Sequence, residues 1–178
     1  MWEKKRHLKR RYDLTSDTYD SRYEEIQRKK IRAVLKELGD PKRLLDVGCG
    51  TGLFIDAISN RAEKVVGIDF SFDMLERAKK RSGDAMLVSA DADNLPFPDN
   101  CFDTVVSLTL LQNMPRPERT VLEMGRVTER EGRVIVTVLE KKISADEVES
   151  WLSAANIYPV LKKRIPKSED SLCVGNKK

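Results

Sequence analysis

A chain of 178 residues is large enough for one domain with a real core, and its 35% charged and 6% aromatic composition is that of a soluble globular fold. No apolar run approaches the roughly 20 residues that a bilayer crossing needs, and the start, Met1-Trp2-Glu3-Lys4-Lys5-Arg6, opens no signal-peptide core, so a cytoplasmic protein with no membrane contact is expected. Cys49, Cys101 and Cys173 are far apart and form no C-x-x-C pair, and His7 is the only histidine, which argues against a disulfide framework, a zinc site or any other metal centre, and imidazole triads.

Residues 1–178 read as a single domain, without repeat or linker. Residues 1–43 hold 14 Lys and Arg against 8 Asp and Glu, leaving 19 against 21 for the rest. Residues 1–11 read as a flexible basic arm able to recruit a polyanion such as RNA, or as no more than a solvated tip. Residues 12–38 form an N-terminal helical segment. It begins with the polar, aromatic stretch from Tyr12 to Tyr23; Ile31, Val34, Leu35 and Leu38 then share one helix face, and Gly39 with Pro41 ends it at about Leu38.

Leu44 to Val47 is an apolar run too short for a helix, hence a buried strand. Gly48, Gly50 and Gly52 make a turn without Cβ atoms, and Leu53, Phe54, Ala57 and Ile58 resume at helical spacing. Strand, glycine turn and helix open a mononucleotide-binding unit, where a ligand touches backbone and a helix N-terminus favours a negative group. Asp69 follows the strand Val65–Ile68 and lies 21 residues beyond Gly48, close to the spacing at which a carboxylate bonds a ribose hydroxyl pair. A dinucleotide fingerprint requires a sixth-place glycine; here that place is Leu53, which puts an oxidoreductase last.

Ser71 caps a helix with Met74, Leu75 and Ala78 facing inward. Ala85–Val88 is a third strand, followed by an irregular loop through Leu95-Pro96-Phe97-Pro98 that belongs near a site. Phe102–Leu108 is the fourth strand, Pro117 starts the helix of Val121, Leu122 and Met124, and Gly132–Leu139 is the fifth strand. Ser144 and Glu147 form a capping box for a helix whose apolar stripe includes Val148, Trp151 and Leu152, with Trp151 read as core. Residues 157–165 and 171–175 read as a closing hairpin on a mostly parallel sheet.

Taken in order, Leu-Asp-Val-Gly-Cys-Gly-Thr-Gly, Val-Val-Gly-Ile-Asp, Ala90-Asp91-Ala92 leading to Leu-Pro-Phe-Pro-Asp-Asn, Phe-Asp-Thr-Val-Val-Ser and Arg126-Val127 cover most of the chain. From about Tyr12 to Val174 it resembles a minimal class I S-adenosylmethionine (SAM)-dependent methyltransferase of the broad ubiquinone/menaquinone-methyltransferase-like group. The resemblance implies a three-layer Rossmann-like α/β fold, with a mostly parallel seven-stranded sheet and an antiparallel edge hairpin. It implies SAM as cofactor and S-adenosylhomocysteine as product. Asp46 would accept from the cofactor ammonium, with Gly48, Cys49, Gly50 and Gly52 along its methionine moiety. Asp69 would take the ribose hydroxyls, Phe70 and Met74 would line the adenine slot, Asp91 would accept from the adenine amino group and the Ala92 amide would donate to its ring. Ser107 and Leu108 would border the sulfonium. Plainer readings stand beside these: Asp46 and Asp69 as helix-dipole partners, Met74 as core, Asp91 as a loop cap.

Two departures from the family are visible. Gln112-Asn113 stands where many relatives carry a His pair, and Arg130-Glu131-Gly132 replaces Pro-Gly-Gly, a turn variation. Methyl transfer asks for alignment and water exclusion, and a general base only if the nucleophile arrives protonated; no residue announces itself as catalytic in that sense. The fourth strand is not followed by Asn/Asp-Pro-Pro-Tyr/Phe, and Cys101, at the strand's far end, is misplaced for cytosine C5 chemistry. Acceptor contacts are assigned to Tyr12, Tyr19, Gln112 and Asn113, with helix packing as the other reading of Tyr19 and Tyr23. Only Glu140–Ile143 separate the fifth strand from Ser144, which leaves the acceptor side open. The expectation is a methyltransferase acting on tRNA, rRNA or another macromolecule. The third strand, as a sheet edge, is available to a partner chain, and analogy with other minimal methyltransferases supplies a small zinc-binding activator protein. A small-molecule methyltransferase and a SAM-binding module without chemistry are the alternatives.

Overall fold

In the computed structural model the described residues are Arg6, Arg10 and 25–178. Tyr12, Tyr19 and Tyr23 lie outside them, as does most of the basic arm, of which Arg6 and Arg10 are helical and exposed. The described part of the next helix, α1, covers residues 25–35. It stops three residues short of the expected end; a turn follows over 36–37, and the Glu37 carbonyl accepts from Arg133 Nη1 at 2.7 Å.

The strands are β1 (Arg43–Val47), β2 (Lys64–Asp69), β3 (Met86–Ser89), β4 (Phe102–Leu108), β5 (Thr128–Leu139), β6 (Ile157–Arg164) and β7 (Asp170–Lys177). The remaining helices are α2 (Leu53–Ile58), α3 (Phe72–Lys79), α4 (Pro117–Val127) and α5 (Ala145–Ala154). One sheet contains all seven strands in the order β3-β2-β1-β4-β5-β7-β6. β1 to β5 are mutually parallel, and β7 runs antiparallel between β5 and β6. This is the mostly parallel sheet with an antiparallel edge pair that the strand and helix alternation predicts.

Alternation along the strands divides the core between two faces. Leu45, Val105, Val134, Val136 and Val138 meet Val121 and Met124 of α4 and Val148 and Leu152 of α5. Leu44, Val106, Ile135 and Val174 point the other way, onto Ile31, Val34 and Leu38 of the N-terminal segment and Phe54 and Ile58 of α2. Leu75 of α3 meets Ile55 of α2 on a smaller cluster. The central strands are buried on both sides, which is why they read as continuous apolar runs. Trp151 is half-buried and packs on the α4–α5 face, as its stripe position implies.

The caps fall where the residues place them. Ser71 Oγ accepts from the Met74 N–H, and both halves of the Ser144–Glu147 capping box form. β5 begins four residues before the expected Gly132. The chain leaves α4 directly into the sheet, Thr128 Oγ1 donating to the Met124 carbonyl at 2.7 Å while Thr128 pairs with Phe102. The Arg130-Glu131-Gly132 variation is thus an irregularity within a strand, with Glu131 at φ 64° and the β4 register shifting between Phe102 and Thr104.

Candidate active site

The sheet order reverses between β1 and β4, and at such a switch point the loops leaving the two strands part to form a crevice. Asp46 and Leu108, near the carboxyl ends of these strands, line it together with Gly48, Cys49, Gly50, Thr51, Leu53 and Phe54. Gln27 and Ile31 of α1 close the remaining wall. Of the described residues of this segment, Gln27 and Ile31, one helical turn apart, reach the crevice.

The glycine turn is built for two different reasons. Gly48 and Gly52 both have φ 80°, and a Cβ on them would lie 3.0 Å from the Leu110 side chain and 3.0 Å from Ala78 Cα respectively. These two are glycine for the protein's own packing. Over Gly50 no heavy atom comes within 4 Å of a built Cβ, so this is where a ligand can approach the backbone. α2 has only six residues, too few to offer the helix N-terminus expected to favour an anion.

Asp46 is 1% exposed, and neither carboxylate oxygen has a hydrogen-bond partner. Burial, reinforced by the charge of Asp69, pushes its carboxyl up to about 8. A buried carboxylate without a donor is costly unless a cation is delivered to it. Asp69 is the opposite case: Oδ2 accepts from the Gly50 N–H at 2.9 Å and Oδ1 from the Ser71 N–H at 2.8 Å. Those bonds fix the plane of the carboxylate and tie β2 to the glycine turn. Burial and the two neighbouring carboxylates raise the Cys49 thiol far above its ordinary range, so this cysteine is no nucleophile.

Beyond β2, Phe70 is half-buried and Met74 is 2% exposed within α3. Asp91 Oδ1 accepts from the Asp93 N–H at 3.1 Å, the loop-capping geometry, and Ala92 is buried. The loop they begin is fastened to α4: Thr120 Oγ1 donates to Asp93 Oδ1 at 2.6 Å, Arg119 to the Asp93 carbonyl, and Arg126 to the Leu95 and Phe97 carbonyls.

Ser107 is fully buried and its hydroxyl donates to the Val47 carbonyl at 2.9 Å, so this side chain pins β4 to β1 while Leu108 faces the crevice. Thr109 follows at φ 60°. Its carbonyl accepts from Gln112 Nε2 at 2.7 Å and from Asn113 Nδ2 at 3.3 Å. The amide donors of Gln112 and Asn113 thus build the turn after β4, and Gln112 Oε1 is left buried without a partner. Among the described residues no group of three His, Cys, Asp or Glu side chains is placed to hold a metal ion.

Gln27, Ile31, Thr51, Leu53 and Phe54 belong to the crevice and are not among the residues to which the sequence assigns a site role. Thr51 lies inside the glycine turn, Leu53 and Phe54 open α2 directly after it, and Gln27 precedes Ile31 by one helical turn, so for Gln27 period alone held the signal.

A family model described as a methyltransferase domain matches residues 45–136. A phosphatidylethanolamine N-methyltransferase of Cereibacter sphaeroides is 44% identical over 100 residues, covering 53% of this chain and 49% of its own length. A demethylmenaquinone methyltransferase of Renibacterium salmoninarum is 35% identical over 128 residues, covering 71% and 53%. The chain spans about half the length of these curated relatives. Among solved structures, a chain from the Haloferax volcanii complex of the Trm112 methyltransferase activator with a methyltransferase superposes with TM-score 0.81 at 18% identity, over 93% of this chain and 96% of that one. A SAM-dependent methyltransferase of Thermotoga maritima gives 0.75 at 21%, over 94% and 99%. At these identities the superpositions speak for the fold. The family match extends over more than half of the 178 residues, and the chain belongs to the methyltransferase domain family.

Proposed function

We propose that this chain is a SAM-dependent methyltransferase that binds its cofactor in the crevice between β1 and β4. The observation that carries the reading is Asp46, a buried carboxylate with no donor among the described residues, beside Gly50, the one glycine of the Gly48–Gly52 turn whose face is open. An ammonium is the group this carboxylate lacks. Asp69, oriented by two backbone N–H groups, would take the ribose hydroxyls; Phe70 and Met74 would border the base; Asp91 and the Ala92 amide would address its edge. Gly48, Cys49, Gly50, Gly52 and Leu108 would surround the methionine end, with Ser107 holding the strand behind them. When bound, SAM supplies a methyl group on a sulfonium, activated for in-line displacement. The residues here orient, and the apolar wall from Ile31, Leu53 and Phe54 to Leu108 excludes water.

For the acceptor we favour RNA (tRNA or rRNA) or another macromolecule. The basic bias of residues 1–43 supports this, as does the short connection Glu140–Ser144 between β5 and α5, which carries no insertion to enclose a small substrate. A second reading, a small or lipid-like acceptor, is favoured by relatives named for phosphatidylethanolamine and demethylmenaquinone. β3 forms one edge of the sheet and exposes Met86, which suits an added partner strand. A structural neighbour was solved with the Trm112 methyltransferase activator, which supports an activating partner for this chain, small and zinc-binding by the analogy drawn from the sequence.

Calorimetric titration of the purified chain with SAM, and with NAD as control, tests the cofactor reading: binding of SAM alone is expected, and binding of NAD alone would overturn it. Labelled SAM offered with total RNA and, separately, with a lipid extract then decides the acceptor. Label in RNA that weakens when Lys4, Lys5, Arg6, Lys9, Arg10 and Arg11 are neutralised supports the first reading; label in lipid that ignores those charges supports the second. Tight SAM binding with no acceptor ever labelled would reduce the chain to a binding module.

A further inference from the structure

Lys30, on α1, is 4% exposed, and its ammonium takes no part in the site described above. Nζ lies 3.0 Å from Thr109 Oγ1, to which it donates, and 3.0 Å from Asp170 Oδ1. The contact with Asp170, itself 2% exposed, is an ion pair rather than a directed bond, since Oδ1 has no hydrogen-bond partner. Ser168 Oγ donates to the other oxygen of Asp170 at 2.6 Å. One ammonium thus joins the N-terminal helix, the end of β4 and the start of β7. Removing one member of a buried ion pair strands the other charge in a medium that cannot solvate it, so the three segments are energetically tied.

Thr109 is a β-branched residue at φ 60°, a conformation such residues rarely adopt. Each of its polar atoms is engaged. The N–H donates to the Thr137 carbonyl at 3.0 Å and to Thr137 Oγ1 at 3.1 Å, the carbonyl accepts from Gln112 and Asn113, and the hydroxyl accepts from Lys30. This over-determined residue directly follows Leu108, which lines the crevice. On α1, Ile31 directly follows Lys30 and Gln27 lies one turn before it, and both line the same crevice.

We infer that Lys30 is a positioning residue: a latch that seats α1 over the crevice at a spacing fixed by Thr109 and Asp170. This rests on reading the crevice as the SAM site. Lys30 acts through Gln27, Ile31 and Leu108 and touches no reacting atom.

Amide hydrogen exchange on cofactor-free wild type, Lys30→Met, Asp170→Asn and the double variant, followed by titration with SAM, tests the latch. Both single variants are expected to lose protection in 25–35 and 109–113 while β1 and β5 keep theirs, and to bind SAM at least tenfold more weakly. The double variant should be no worse than Lys30→Met alone. If Lys30→Met does not fold, Asp170→Asn, which keeps an oxygen for Ser168, carries the comparison. Unchanged protection of α1, or equal loss throughout the sheet, would overturn the latch. A loosened α1 with unchanged SAM affinity would overturn its positioning role. If wild type binds no SAM, the cofactor reading fails by itself, while the exchange pattern still decides whether Lys30 holds the helix.

Discussion

Asp46 holds its proton because burial leaves the charged form without solvent or donor, and that proton has two measurable consequences. With the folded carboxyl at about 8 against an ordinary 3.8, the folded state binds the proton that the unfolded chain releases across this interval. The contribution of Asp46 to stability without cofactor is therefore greatest below the unfolded value and falls as pH rises towards 8. Asp46→Asn removes this contribution, and the expected result is a flatter profile of Tm against pH between 4 and 8. The cofactor's ammonium would favour the carboxylate, so SAM binding below pH 8 should expel a proton. Affinity should then rise with pH up to about 7, by up to about tenfold per unit. Titrations at pH 7 in two buffers of different ionisation enthalpy should give different apparent heats for wild type and the same heat for Asp46→Asn. Equal heats for wild type would mean that the ammonium does not meet Asp46.

Among the elements, the segment from Asp91 to Asp99 has no regular structure beyond one isolated bridge, Asp91 to Asn94, yet α4 holds it tightly. Arg126 forms a two-toothed pair with Glu123, Nε to Oε1 and Nη2 to Oε2 at 2.8 Å each, and also reaches Asp99 Oδ1 and the Leu95 and Phe97 carbonyls. Glu123 in turn accepts from the Leu95 N–H. A lysine cannot reproduce a planar fork with five donors. Arg126→Lys is therefore expected to loosen residues 91–99 and weaken SAM binding several-fold, seen as a higher Kd with exchange confined to that loop. Lys177 is the contrasting case at the same, C-terminal end of α4. Its ammonium donates to the Gly125 and Thr128 carbonyls and to Asn100 Oδ1, closing a helix terminus far from the crevice. Lys177→Met should cost about 1–3 kcal/mol of stability by leaving buried carbonyls unpaired, without altering SAM affinity. The sequence made the helix bearing these residues plain through Pro117 and its apolar spacing, and Arg126 was visible as a motif. What it joins was not, because partners about 30 residues apart obey no period. The same reason hid Lys30 within a run of basic residues, where only the fold could show that one cation turns inward. Conversely, Gly48 and Gly52 were found for a ligand-side reason and proved to be glycine for contacts with Leu110 and Ala78. Gln112 and Asn113, proposed for an acceptor, spend their donors on Thr109, a commitment that depends on a positive φ no pattern announces.

Across the whole molecule, the two sheet edges differ in what they offer a partner. β6 is interrupted at Pro159, where the register against β7 shifts, and a proline with a bulge blunts an edge. β3 is short but regular, pairs with β2 over four residues, and contains no proline. The Ala90 N–H donates to the Asp69 carbonyl, so alternation along a parallel ladder turns the N–H groups of Val88 and Met86 towards β2 and those of Leu87 and Ser89 outward. If an activating partner adds a strand here, as proposed, the outward N–H groups are what it must bond. Ser89 is exposed, and proline there removes one outward donor while sparing every bond to β2. Ser89→Pro should fold, keep its Tm within a few degrees and bind SAM like the parent, yet fail to co-purify with a partner that the parent retains. If it keeps the partner, recruitment does not run through β3; if it loses SAM as well, the edge and the crevice are one cooperative unit, and the partner's effect would be read in cofactor affinity rather than in docking.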